Sequence, residues 1–428
     1  MAENIFVLGL DEHNRETLGS LPHLSRYRFH GLLTIEELQH EDIDVPALLE
    51  RARAQLEAFD GTVDAIMGYW DFPVSSMVPI LCEEYGLPSA SLESVVKCEH
   101  KYWSRLEQRE VIDELPGFAE VAQDATEPPA GLSYPMWLKP VKSFSSELAF
   151  RVTDDEEFRS ALAEINEGAG RIGEPFEYVL GRVNPPAAIA EAGGTACLAE
   201  EEVGGRQVTV EGYVHEGEVV VYGVVDSLLY PDSPSFLRYQ YPSRLPGHVT
   251  ERLTTVSRRV VERLGLDSVT FNIEFFWDPE TDRIRLLEVN PRHSQSHAKL
   301  FEYVDGTPNH ECALSLALGR SPELSPGDGE YAVAAKWFLR RFEDGVVRRA
   351  PGPEDVARVE REIPGTTVKV VAHEGDRLSR LPGQDSYSYE LAQVFVGARD
   401  EEELKDKYDR CVAALPFEID TVGDAEDR

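Results

Sequence analysis

Lysine is scarce in this chain. Of 42 basic residues only nine are Lys, at positions 97, 101, 139, 142, 299, 336, 369, 405 and 407, against 78 Asp and Glu, for a formal net charge of −36. Such an acid excess argues against nucleic acid as a partner, because binding a polyanion needs basic surface. It suits a protein whose self-repulsion is screened by concentrated salt. The five cysteines, Cys82, Cys98, Cys197, Cys312 and Cys411, form no CxxC pair. They read as small buried residues, and neither a zinc site nor a disulfide framework is expected. No apolar run reaches the roughly 20 residues of a membrane span, and no basic segment precedes a long apolar one at the N-terminus. No membrane partner is expected, and the cytoplasm is the expected compartment. The absence of GxGxxG after the first strand makes a dinucleotide site unexpected.

What is present is a soluble globular composition, 42% hydrophobic and 28% charged, in 428 residues, enough for about three domains. The first part alternates strands (Ile5 to Leu10, Arg26 to Leu33, Ala65 to Tyr69) with helices (Pro46 to Phe59, Pro73 to Tyr85), the pattern of a parallel α/β sheet. A helix from near Glu93 through Lys101 to Glu110 follows, then a strand Pro135 to Pro140 carrying Lys139. Asp154 to Asn166 reads as a helix, and Gly168, Gly170 and Gly173 read as a flexible connection. Three strands (Cys197 to Val203, Gln207 to Val214, Glu218 to Asp226), a loop from Tyr230 to Pro246 and a helix from Val249 to Leu264 come next. Beyond Gly329 another α/β segment has strands near Tyr331 to Leu339, Thr366 to Ala372 and Ala392 to Gly397, and a helix at Glu401 to Ala414.

The most informative stretch is VTFNIEFFWDPETDRIRLLEVNPRHSQSH. Two runs rich in aromatic and branched residues, Phe271 to Trp277 and Arg283 to Val289, flank the turn formers Asp278 to Asp282, which predicts an antiparallel hairpin. Side chains alternate faces along a strand, so Asn272, Glu274 and Phe276 are expected on one side and Ile284, Leu286, Glu288 and Asn290 on another, and a symmetric turn sets Glu274 roughly opposite Glu288. Facing carboxylates repel, more so among apolar neighbours, and a cation between them removes the conflict. Two carboxylates and an amide oxygen are hard ligands suited to Mg²⁺, and Arg292 stands where it can hold a phosphoryl oxygen. An acidic surface hairpin is the alternative reading of the same residues.

This pattern, Glu and then Glu-x-Asn-x-Arg on the next strand, resembles the metal-binding end of the ATP-grasp superfamily. The resemblance implies Mg²⁺ or Mn²⁺ on Glu274, Glu288 and Asn290, and ATP as the nucleotide. It extends to upstream elements in order. Lys101 matches the family's earlier lysine, which reaches the nucleotide phosphates from the start of a helix, and Lys139, at a strand end, matches the later one. The loop with Ser143, Ser145 and Ser146 corresponds to the phosphate-covering loop, although the family's loop is usually glycine-rich and none lies between Lys139 and Glu147. Glu201, Glu202 and Val203 match the segment whose backbone contacts adenine. Gln207 stands where a carboxylate usually holds the ribose, and Glu211 points to the phosphate and metal end.

The implied fold is α/β and α+β: a pre-ATP-grasp parallel α/β domain over 1–95, an ATP-grasp domain over 96–329 with a small mobile lobe at about 133–203, and a C-terminal α/β domain over 330–428. The implied activity is a ligase that activates a carboxylate as an acyl phosphate and joins it to an amine. Arg292, Lys139 and His297 are its candidate catalytic residues, small molecules its substrates, and a homodimer its expected assembly. A bicarbonate-using carboxylase or carbamoyl-phosphate-type enzyme is the alternative, and an ATP-binding protein with little catalysis is a third reading. Ser296-His297 replaces the Glu-His pair of biotin carboxylases, which argues against biotin carboxylation. Arg238, Arg244 and Lys336 are further candidates for holding a carboxylate.

Overall fold

In the strand Glu3–Leu8, Phe6 and Leu8 enter one core cluster while Ile5 and Val7 enter another. Burial on both faces is what a central strand of a helix-covered parallel sheet requires. The strand lies between Tyr27–Leu32 and Ala65–Met67, parallel to both. The helices Val45–Glu57 and Val74–Tyr85 contribute to the first cluster, Leu18 and Leu314 to the second. The computed structural model describes residues 2–40, 42–143, 147–382, 384–385 and 387–421. It resolves into two compact units, one of Met1–Tyr222, Leu245–Gln295 and His310–Glu323, the other of Gly223–Arg244, Ser296–Asn309 and Leu324–Arg428.

The first unit also holds a four-stranded antiparallel sheet in the order Phe118–Val121, Cys197–Glu201, Met136–Pro140, Phe150–Val152. Its apolar face packs on the helix Asp155–Gly168, which starts at Asp154, whose carboxylate accepts from the Glu156 and Glu157 amides at 2.9 Å. The predicted flexible connection after it is instead a helix, Gly170–Leu180. Its glycine serves close packing rather than mobility: a Cβ on Gly173 would lie 2.5 Å from the Gly194 carbonyl oxygen. The hairpin strands Val269–Asp278 and Arg283–Asn290 belong to this unit too, the first pairing antiparallel with Arg206–His215.

In the second unit, the end of the strand Glu218–Leu229 pairs with Phe236–Tyr241, followed by Val333–Arg341, Tyr389–Ala398 and Thr366–Val370, all antiparallel. The strand Phe236–Tyr241 falls within the predicted Tyr230 to Pro246 loop. Its period of two is a strand pattern, but the run is short and lies among Pro231, Pro234, Pro242 and Pro246, which read as loop. The helix Glu401–Ala414 packs on this sheet and has the predicted bounds.

The single helix predicted from Glu93 to Glu110 is two, Leu92–Glu99 and Lys101–Gln108, split at the fully buried His100. His100 is extended there, and its Nδ1 accepts from the Trp103 amide at 3.2 Å, capping the second helix. With Nδ1 accepting, Nε2 carries the proton and donates to the Gly193 carbonyl at 3.1 Å. The break also frees the Lys101 amide to donate to the Val141 carbonyl at 2.8 Å, tying this helix to the end of the Lys139 strand. Burial holds the imidazole pKa down at about 4. Protonation removes the cap acceptor, so stability present above the ordinary histidine range is expected to fall as pH drops from about 6.5 toward 4. His100→Asn, which caps without titrating, should flatten that part of the melting temperature against pH profile.

Candidate active site

The hairpin register is Asn272 opposite Asn290 and Glu274 opposite Glu288, with an irregularity just after Glu274. Ile273, Phe275, Leu286 and Val289 are buried on the other face, which leaves the two glutamates and two asparagines together on the open one. Glu288 keeps 33% of its side-chain exposure although protein surrounds it, the mark of a cleft floor. Burial first, and then Glu288, push the Glu274 carboxyl up to about 7, against the opposing pull of Arg292 and Gln207. Gln207 Nε2 donates to Glu274 Oε2 at 3.0 Å. Burial would raise Glu288 as well, but Lys101 and Lys139 overcome it and hold that carboxyl below the usual range.

Three lysines meet carboxylates here. Lys101 Nζ lies 2.9 Å from Glu288 Oε1 and donates to the Ser143 carbonyl at 2.7 Å. Lys139 Nζ lies 2.5 Å from Glu200 Oε2, and Lys142 Nζ lies 3.2 Å from Glu99 Oε2 and 5.2 Å from the Phe72 and Phe176 rings. Burial lowers the pKa of both Lys139 and Lys142, with their acids pulling the other way. Arg105, 2% exposed, joins these elements. Its Nε donates to Glu200 Oε1 at 2.6 Å, Nη1 to Gln108 Oε1 at 2.7 Å and Nη2 to the Leu287 carbonyl at 2.5 Å, one residue before Glu288. Glu200 is buried, which alone would raise its pKa, yet Arg105 and Lys139 hold it near 2.

The structure thus gathers Lys101, Lys139, Gln207, Glu274, Glu288 and Asn290, with Arg292 close enough to act on Glu274. Ser143 enters through its backbone carbonyl, while Ser145 and Ser146 lie outside the described residues. Glu201 accepts from the Gly117 amide at 3.0 Å, and Glu202 pairs with Arg151 at the surface, at 2.6 Å. Val203 follows them, partly exposed. Glu211 is fully buried, accepting from Asn272 Nδ2 at 2.9 Å, the Ser294 amide at 3.0 Å and the Tyr222 hydroxyl at 3.1 Å, and its charge helps hold the Arg292 guanidinium protonated. His297 belongs to the second unit, buried with its ring 5.0 Å from that of Tyr239. In the same unit Lys336, buried beside Phe338 and Phe395, donates to Ser296 Oγ at 3.1 Å, and burial lowers its pKa to about 8.

Sequence reasoning missed Asp71, Glu99, Arg105, Lys142 and Glu200. Arg105 had a usable signal, since it stands four residues after Lys101 on one helix face. Asp71 had none.

Among the described residues, no group of three or more His, Cys, Asp or Glu side chains is arranged to hold a metal ion. The donor set present is two carboxylates with an amide. Asn290 Nδ2 donates to Asn272 Oδ1 at 3.2 Å, which leaves the Asn290 oxygen as an acceptor. This set fits Mg²⁺, which is commonly held by one or two carboxylates with waters and substrate phosphates completing the shell.

These features define a class. Residues 132–298 match the ATP-grasp domain family, and the chain has the ATP-grasp fold. It is similar over 98% of its length to 99% of an L-amino acid ligase from Bacillus licheniformis, with a TM-score of 0.71 and 16% identity. Over 97% of its length it is similar to 92% of a biotin carboxylase from Campylobacter jejuni, solved as a β-γ-ATP complex, with a TM-score of 0.66 and 14% identity. At such identities the likeness is one of fold. Among sequence relatives, it is 25% identical over 263 residues to the C-terminal section of the carbamoyl phosphate synthase large chain of Methanopyrus kandleri. That match covers 59% of this chain and 44% of the relative. A second, to the large chain from Xylella fastidiosa, is 38% identical over 69 residues, 16% of this chain and 6% of that protein.

Proposed function

We propose that this protein is an ATP-dependent ligase that activates a carboxylate as an acyl phosphate and joins it to an amine, such as that of an amino acid. The reading rests chiefly on one observation: Glu274 and Glu288 face each other on a cleft floor where Lys101 and Lys139 also converge. Mg²⁺ or Mn²⁺ would be held by Glu274, Glu288 and the Asn290 oxygen, and when bound neutralises phosphate charge and polarises the transferring phosphoryl group.

The chain's own residues bind and orient. Lys101 and Lys139 are available to trade their carboxylate partners for phosphate oxygens. The backbone from Glu201 to Val203 receives adenine, and Gln207 lies within reach of both ribose and Glu274. Arg292 stabilises charge on the phosphoryl group as the substrate carboxylate oxygen attacks the γ-phosphorus and ADP leaves. The amine then attacks the acyl carbon, inorganic phosphate departs, and the amine proton passes to a base or water. Positioning and electrostatics carry such a transfer.

The second reading, a bicarbonate-using enzyme, is favoured by the sequence likeness to carbamoyl phosphate synthases. One experiment separates the two. The protein is incubated with ATP and Mg²⁺, with bicarbonate alone or with amino acid mixtures, and phosphate release is measured alongside mass spectrometry of the products. Phosphate and a ligated product with amino acids are expected. Release with bicarbonate alone would replace this reading by the second, and nucleotide binding without any product would leave a binding protein.

A further inference from the structure

Asp71 follows the strand Ala65–Met67, at the carboxyl end of the parallel sheet, where loops of such sheets commonly present ligand-facing groups. Its carbonyl accepts from the Val74 amide at 3.1 Å and from Gln39 Nε2 at 3.3 Å, so the loop has a defined path. The Asp71 carboxylate meets Arg292, which stands 221 residues later, just beyond the hairpin. Arg292 Nε donates to Oδ1 at 2.7 Å and Nη2 to Oδ2 at 2.9 Å. Nη1 donates to the His293 carbonyl at a long 3.4 Å.

A guanidinium has five N–H bonds in a fixed plane. Side-on pairing with Asp71 uses one on Nε and one on Nη2, and leaves an end-on edge formed by the other Nη2 hydrogen and Nη1. That edge matches two oxygens of a phosphoryl group. The pair keeps 19% and 28% side-chain exposure, so a solute can reach it. Asp71 thereby restricts the arginine to one orientation and cancels most of its field at a distance, leaving directed donors rather than diffuse charge.

We infer that Asp71 is a positioning residue, which aims the end-on edge of Arg292 at the terminal phosphoryl group of the nucleotide. This rests on the ligase reading above, and it gives the N-terminal α/β segment a part in nucleotide discrimination.

The test compares affinities for MgATPγS and MgADP by calorimetry in the full chain, because only the first carries the group Arg292 would address. In wild type MgATPγS is expected to bind more tightly. Asp71→Asn should reduce that preference at least about fivefold while MgADP affinity stays within about twofold, the size of one lost charge-assisted contact. Arg292→Met should reduce it as much, and the double variant no further, since Asp71 acts through Arg292. Arg292→Lys, which cannot pair side-on, should lose the preference with Asp71 intact and serves if Asp71→Asn does not fold. An unchanged preference in Asp71→Asn, a parallel loss of MgADP affinity, or an additional loss in the double variant overturns the inference. A wild-type protein that binds neither nucleotide overturns the ligase reading and this inference together.

Discussion

Glu288→Gln and Glu274→Gln should each reduce ATP turnover at least about a hundredfold, yet shift the melting temperature of the ligand-free protein in opposite directions. The activity loss follows from removing a carboxylate that would hold the divalent cation which neutralises the phosphate charge. The stability changes follow from the two carboxyls' different surroundings. Glu274 has a folded-state pKa raised to about 7 by burial and by Glu288. A raised carboxyl favours folding only while protonated, so its contribution is full below the ordinary carboxylate range and is lost as pH rises through about 7. At pH 8 the neutral glutamine removes that penalty, and Glu274→Gln should melt higher than wild type; near pH 4 the difference should vanish. Glu288 is the reverse case, held low by Lys101 and Lys139 in spite of burial. Its stabilisation is present above the ordinary carboxylate range, and Glu288→Gln leaves Lys101, 11% exposed, without its acid. It should melt lower at pH 8. Melts in chelator at both pH values decide this, and shifts of the same sign at pH 8 would refute the electrostatic account.

The second large effect concerns salt. The melting temperature is expected to rise by at least about 10 °C between dilute buffer and 2 M KCl, because the Debye length falls from tens of ångströms to about 2 Å. Two terms of opposite sign compete. Salt weakens exposed ion pairs such as Arg53 with Glu84 or Arg171 with Glu147, but such pairs contribute little. It also screens repulsion within the acid excess, 78 − 42 = 36 net negative charges. Acidic runs at the starts of the helices Asp155–Gly168 and Glu401–Ala414 are favourable to the helix dipole, but they set three like charges side by side. The count favours screening. A midpoint that stays flat or falls with added KCl would show that surface pairs dominate instead.

The parts of the fold and site readable from sequence are those whose cause is local. The hairpin itself follows from a period of two and a turn rich in Pro, Asp and Thr, but the register leaving the turn, Asp278 with Arg283 to Phe275 with Leu286, would set Glu274 opposite Leu287; the irregularity after Glu274, which has no local sequence signal, brings it opposite Glu288. The bounds of Glu401–Ala414 follow from Asp400, whose carboxylate accepts from the Glu403 amide at 2.9 Å. Where tertiary contacts decide, local signals mislead. Gly170 and Gly173 look like a hinge but lie in a helix packed against the Gly194 backbone, and His100 divides a helix that periodicity runs straight through. Strand Phe236–Tyr241 was hidden by its shortness and the prolines around it. In the site, the two lysines and two glutamates carried enough pattern to be found. The residues that orient them did not: Arg105 reaches Glu200 across 95 residues and Asp71 reaches Arg292 across 221.

Arg105 touches Glu200, Gln108 and the Leu287 carbonyl at once, and through them it links the Lys101 helix, the Lys139 strand and the Glu288 strand. A lineage or a laboratory selection could not easily retune these three supports independently. A change at Glu200 leaves Arg105 and Lys139 both short of an acid, and a change at Arg105 leaves a buried glutamate with one cation. Viable routes to a different arrangement of these lysines and Glu288 would therefore pass through paired substitutions, and the order in which those pairs arise would matter as much as their identity.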